Sequence, residues 1–131
     1  VVIDKVAWLE IVDGAVLCAR SRGKELYYLP GGKRDPGETD VQTLVREIDE
    51  ELGVEVLGDS AEHVTTVEAR ADGKAEGVLV RMACYRADHR GTPQPRAEIE
   101  ELAWLTSADR DRLSAAGRAL FDDLRERGLL R

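Results

Sequence analysis

Residues 32–54, GKRDPGETDVQTLVREIDEELGV, decide how this chain reads. Within them Val41, Leu44, Val45, Ile48 and Leu52 recur at helical spacing, the stripe of an amphipathic helix with one buried face. Thr39 is a natural N-cap, and Gln42 three residues on completes a capping-box pattern. Gly53 stands where a helix ends in a left-handed residue, and Pro36-Gly37 marks a turn upstream. Every boundary signal agrees with the periodicity.

The same helix carries an unusual load of acid. At about 100° per residue, Glu50 and Glu51 lie on either side of Glu47, so the three are expected to share one face away from the Leu44/Ile48 stripe. Glu38 lies just before the helix, and the Gly31-Gly32 turn with Lys33 and Arg34 precedes it. Like charges at this spacing destabilise an isolated helix by a few tenths of a kcal/mol per pair, and Glu50 and Glu51 also sit near the unfavourable end of the helix dipole. A divalent cation would compensate both costs. Oxygen ligands without Cys or His favour Mg²⁺ or Mn²⁺ over Zn²⁺. A solvated acidic face in a chain that is 34% charged reads equally well from the spacing alone.

The full pattern resembles the Nudix box at every defined position: Gly32, Glu38, Arg46-Glu47-Ile48, Glu50-Glu51 and Gly53-Val54, without insertion. The resemblance implies an α/β/α sandwich in which a mixed, curved β-sheet is flanked by the box helix and a C-terminal helix. It implies cleavage of a pyrophosphate bond in a nucleoside diphosphate linked to another group, with Mg²⁺ or Mn²⁺. By position, Glu47, Glu50 and Glu51 match the family's metal-binding carboxylates, and the Gly32 carbonyl is often a further ligand. Glu38 and Arg46 match a pair that orients the catalytic glutamate. Glu98, six residues before Trp104, matches a glutamate that reaches back as metal ligand or base. The base is expected among Glu51, Glu47 and Glu98; alternatively Glu98, Glu100 and Glu101 form an exposed acidic loop.

Length and composition set outer limits. At 131 residues the chain is expected to form one domain over 1–131, with an aliphatic core, since hydrophobic residues are 43% and aromatics 5%. A net charge of −7 argues against duplex nucleic acid or an anionic membrane as partner. A nucleotide substrate stays compatible, because metal and local basic side chains reverse the field at a site. No apolar run approaches a membrane span, and the cytoplasm is the default compartment. Cys18 and Cys84 read as buried, reduced thiols, and His63 and His89 fall outside any ligand-spaced cluster. Homodimers are common among proteins with this box.

Along the chain, residues 6–12 and 15–20 read as strands joined by a hairpin at Asp13-Gly14. A short strand over 26–29 leads into the Gly-Gly turn. Residues 63–71 and 77–87 read as a second pair, 102–105 as a final strand, and Ser114 caps a helix to Arg127 ended by Gly128. The 91–95 connection, GTPQP, is expected to be the most mobile segment. Arg20, Arg22, Lys33 and Arg34 are candidates to bind phosphate, and Trp8, Tyr27 and Tyr28 to stack on a base, although aromatics in strands usually pack in the core. Marks that accompany action on ADP-ribose or dinucleoside polyphosphates are missing near residues 68–71. The expected substrate is therefore a (d)NTP, oxidised nucleotides included. ADP-ribose, a nucleotide sugar or an RNA 5′ end is the alternative. A non-catalytic nucleotide-binding module is disfavoured by the retention of every box glutamate.

Overall fold

The computed structural model describes residues 1–131. Its strands are β1 (Val2–Trp8), β2 (Ile11–Val12), β3 (Ala15–Ser21), β4 (Gly31–Lys33), β5 (Glu55–Val56), β6 (Glu62–Arg70), β7 (Leu79–Arg86), β8 (His89–Arg90) and β9 (Ile99–Leu105). There are two α-helices, α1 (Asp40–Leu52) and α2 (Ala115–Glu126), and short 3₁₀ turns at Gly58–Ser60 and Ser107–Arg112. The strands form a four-stranded sheet in the order β4-β1-β7-β6, a three-stranded sheet β2-β3-β9 and a β5-β8 pair. β1 and β7 run parallel, whereas every other pairing is antiparallel, so the sheet is mixed as expected. No helix is long and apolar enough to cross a membrane.

Alternation along β1 and β3 makes the two cores. Val6, Trp8 and Leu17 face α1 and pack with Leu44, Ile48 and Leu52. Ala7, Leu9, Val16 and Cys18 face the other way, onto Leu120, Phe121 and Leu124 of α2. Strand side chains alternate between faces, so consecutive apolar residues supply both layers. Each large buried side chain contributes roughly 1.5–3 kcal/mol. The helix on each face gives the α/β/α layering.

Both helix ends behave as read. Thr39 Oγ1 accepts from Gln42 N–H at 3.1 Å, Gln42 Oε1 accepts from Thr39 N–H at 2.9 Å, and Gly53 ends α1 in the left-handed region. Ser114 caps α2 through Gly117 N–H.

Several expectations are corrected. The strand read over 6–12 breaks after Trp8, and β2 joins the other sheet, although the hairpin at Asp13-Gly14 is present. Residues 26–29 form only isolated bridges, Tyr28 to Ala19 and Tyr27 to Leu113. The strand in that region is instead β4, made from the glycines read as a turn and paired with β1 at Ala7↔Gly31 and Lys5↔Lys33. The final strand begins at Ile99, three residues before the expected start. The 91–95 connection is docked rather than loose: Gln94 N–H donates to Leu52 O at 2.9 Å, and nearby Arg96 N–H to Glu51 O at 2.9 Å. These bonds satisfy carbonyls that the end of α1 leaves without helical partners.

Candidate active site

Pairing of β4 with β1 places the glycine loop against α1. A Cβ at Gly31, whose φ is +147°, would lie 2.0 Å from Val6 O, so only glycine permits this strand contact. A Cβ at Gly32 would lie 2.5 Å from Glu47 Cδ. The absent side chain at 32 is the space in which the Glu47 carboxylate sits.

Arg46 organises the carboxylates around it. Its Nε and Nη2 donate to the two oxygens of Glu38 at 2.8 Å each, the fork geometry that lysine lacks. Nη1 donates to Glu47 Oε1 at 3.0 Å and Nη2 to Lys33 O at 3.1 Å, so one guanidinium ties loop, helix and carboxylate together. Glu38 Oε1 also accepts from Asp35 N–H at 2.7 Å and from the Thr43 hydroxyl at 3.0 Å. The Arg46 hydrogen bonds, helped by the Asp35 amide, hold the Glu38 carboxyl down at about 2. Glu38 in turn is the main reason that the Arg46 guanidinium is raised above its ordinary value.

Glu51 departs from the expected face. It is 5% exposed, at the edge of the apolar stripe rather than on the solvated side. The reason is visible in the numbering: Leu44 and Glu51 are seven residues apart, which returns the helix to within about 20° of the same direction. Gly31 N–H donates to Glu51 Oε1 at 3.1 Å. Burial pushes the Glu51 carboxyl up to about 8; Glu47 and Glu98 add to the rise, while the Gly31 amide and Lys5 oppose it. Glu50, by contrast, is exposed, its carboxylate 3.8 Å from Arg46 Nη1. The three glutamates of α1 thus occupy three environments: Arg46-bound Glu47, exposed Glu50 and buried Glu51.

A cleft of about 640 Å³ opens beside Glu51. Gly31, Gly32, Glu51 and Glu98 line one part of it, and Ile3, Ala7, Val80 and Met82 supply an apolar wall. Glu98, from the far end of the chain, is placed there by the 96–98 turn. Arg22 N–H donates to Glu98 O at 2.9 Å and Arg22 Nη2 to Ala97 O at 2.8 Å, while Ala97 adopts a positive φ of 52°.

The four basic candidates separate. Arg20 is held by Glu100, Glu101 and the Lys24 carbonyl, and Arg22 braces the turn below Glu98; neither lines the cleft. Lys33 and Arg34 border a separate open depression beside Asp35 and Pro36, where Arg34 Nε lies 3.3 Å from Asp40. Of the aromatics, Trp8 and Tyr27 are core residues, and Tyr28 alone lines the cleft, its hydroxyl 2.6 Å from Ser21 Oγ. Cys18 and Cys84 are buried free thiols, as expected. Lys5, unmarked in the sequence reading, also lines the cleft. Its signal in the sequence is weak: a lone lysine beside Asp4 in a mostly apolar strand.

No three of the acids converge into a closed metal shell. The donor set nonetheless fits a hard divalent ion: Glu47, Glu50, Glu51 and the Gly32 carbonyl are all oxygen ligands. The Glu47 carboxylate seated over Gly32 and the Glu51 carboxyl beside the Gly31 amide both offer oxygens to such an ion.

Comparison with known proteins gives the arrangement its family. The model of the NUDIX domain matches residues 5–124. The CTP pyrophosphohydrolase of Escherichia coli is 32% identical over 108 residues, covering 79% of this chain and 76% of that protein. The solution structure of the E. coli ORF135 protein superposes with a TM-score of 0.75 at 29% identity, covering 95% of this chain and 91% of that one. A MutT NUDIX hydrolase from Burkholderia pseudomallei gives a TM-score of 0.74 at 26% identity over 93% of this chain and 97% of that one. With the family's fold over nearly its whole length and the complete box at its cleft, this chain belongs to the NUDIX family and is a pyrophosphohydrolase, a hydrolase of acid anhydrides.

Proposed function

We propose that the chain is a Mg²⁺- or Mn²⁺-dependent nucleoside triphosphate pyrophosphohydrolase, with (d)NTPs, oxidised forms included, as its substrates. The observation that carries this reading is Glu51, buried at a cleft shared with Glu98 and the glycine loop. A cleft of about 640 Å³ is within the usual range for small-ligand sites. The relative that acts on CTP makes a pyrimidine triphosphate the first substrate to test.

In this reading Glu47, Glu50, Glu51 and the Gly32 carbonyl hold the ion. A bound divalent ion neutralises phosphate charge and lowers the pKa of a coordinated water. Arg46 fixes Glu47 in place and is itself fixed by Glu38, so that little reorganisation is left for the reacting complex. Glu51 takes the water's proton as general base, with Glu47 and Glu98 as the alternative bases. The apolar wall of Ile3, Val80 and Met82 receives the nucleoside, and Tyr28 is the aromatic face within reach of it.

Chromatographic detection of the nucleoside monophosphate formed from CTP, the other (d)NTPs, 8-oxo-dGTP, ADP-ribose and nucleotide sugars, with Mg²⁺ or Mn²⁺, tests the proposal. Turnover should be greatest on one or more triphosphates, releasing the monophosphate and pyrophosphate. Turnover confined to ADP-ribose or a nucleotide sugar would replace this substrate reading.

A further inference from the structure

Lys5 stands on the face of β1 that lines the cleft, between Ile3 and Ala7, which line it too. Its register partners are Lys33 on β4 and Met82 on β7. Directly opposed like charges across a sheet are destabilising, and Lys74 on the β6–β7 loop adds a third positive charge to its surroundings. Lys5 is half-buried, yet no hydrogen bond or ion pair engages its ammonium. Glu51 and Glu47 attract it, but burial and the two lysines outweigh them and lower its pKa. Arg20, Arg22 and Arg46 are occupied by carboxylates or carbonyls, and Arg34 pairs with Asp40 through Nε although its buried Nη1 has no partner. Lys5 faces the cleft from β1 beside the glycine loop, whereas Arg70 lines it from the end of β6 and Lys24 and Lys74 from loops.

An ammonium withdrawn from water and given no internal anion costs free energy in the empty protein. A polyanionic ligand removes that cost by supplying the missing acceptor, as a charge-assisted hydrogen bond. The position is also suited to the task. Lys5 lies on an inner strand of the four-stranded sheet, beside the Gly31-Gly32 loop, where it interrupts the apolar wall of Ile3, Ala7 and Met82. A phosphate chain running from the box carboxylates toward that wall passes its ammonium.

We propose that Lys5 is a substrate-anchoring residue that donates to a non-bridging phosphate oxygen and sets where the chain of phosphates lies against Glu51. The proposal rests on the reading of this cleft as a polyphosphate site. It adds a cationic contact from β1, outside the box, to a site otherwise built from the glycine loop, α1 and the turn at Glu98. The contact holds the phosphate chain in register, so its loss should raise KM more than it lowers kcat.

The test uses the full chain with Lys5→Met and Lys5→Arg. Binding of inorganic tripolyphosphate in Mg²⁺ is measured by calorimetry, alongside kcat and KM for the best triphosphate and the melting temperature of the metal-free protein. Lys5→Met should weaken tripolyphosphate binding about 10- to 100-fold, the value of one charge-assisted hydrogen bond, and raise KM by a similar factor. Its melting temperature should equal or exceed that of the wild type, and Lys5→Arg should recover most of the binding. Unchanged tripolyphosphate binding in Lys5→Met would overturn the proposal. So would a lowered melting temperature with a loss of binding that arginine does not rescue, since a structural lysine behaves that way. Loss of tripolyphosphate binding in a protein whose wild type turns over no triphosphate would sink the substrate reading and leave Lys5 standing as the polyphosphate contact.

Discussion

Glu51→Gln should make the metal-free protein more stable at alkaline pH while abolishing Mg²⁺-dependent turnover. In the fold the Glu51 carboxyl keeps its proton up to about pH 8, whereas in the unfolded chain it releases it near 4.5. Below about pH 4.5 both states are protonated and Glu51 exerts no pH-dependent penalty. Between there and pH 8 the native state binds more protons than the unfolded one, so stability falls as pH rises, and above pH 8 the full penalty is present. At about 1.4 kcal/mol per pKa unit, that difference sets a ceiling of about 5 kcal/mol on the cost of a charged, metal-free Glu51. Local relaxation and water entry reduce the expected value to about 2–3 kcal/mol. For a domain of this size that corresponds to about 10 °C in melting temperature. Glutamine keeps the shape and the acceptor for Gly31 N–H but cannot ionise. Thermal unfolding of both proteins in chelator, from pH 5 to 9, should therefore give curves that lie close at pH 5, separate steadily as pH rises and reach their full gap above about pH 8, the variant melting higher. Mg²⁺ at pH 8.5 should raise the wild-type melting temperature and leave the variant largely unmoved. Parallel pH profiles for the two proteins would refute the reasoning that burial, rather than a protein partner, controls this carboxyl. Unchanged turnover in the variant would remove its proposed metal and base roles together.

Arg46→Lys should reduce kcat/KM about 10- to 100-fold, the usual cost of losing a residue that orients a metal ligand, with an unaltered far-ultraviolet circular dichroism spectrum; a near-normal rate would show that the two-pronged contact with Glu38 is dispensable. Gly32→Ala should fold but weaken Mn²⁺ binding, measured by calorimetry, because the new methyl group must displace the Glu47 carboxylate 2.5 Å away. Gly31→Ala should instead destabilise by about 3 kcal/mol or more in urea unfolding, since its methyl group meets the Val6 backbone rather than a movable side chain. Cys18 and Cys84, whose thiols burial pushes up to about 12, should resist a disulfide-exchange reagent in the native protein and react fully once it is unfolded.

What the sequence determined by itself was local in origin. The extent of α1, its capping box and its glycine end rest on contacts three or four residues apart, which periodicity and cap chemistry report directly. Arg46 with Glu38 and the presence of the carboxylates were legible for the same reason, since the box carries them at fixed spacing. The seven-residue step from Leu44 to Glu51 was also there to be read, and would have placed Glu51 on the buried side. Tertiary structure decided what depends on elements distant in sequence. The register between β1 and β4 turned two apparent turn glycines into strand and brought Lys5 to the cleft. The β3–β9 pairing gave Arg20 its acidic partners, and Arg22 packed beneath the adjoining turn that carries Glu98 to the site. Burial depends on the whole assembly, so only the fold could bury one glutamate of the three and push its carboxyl up to about 8.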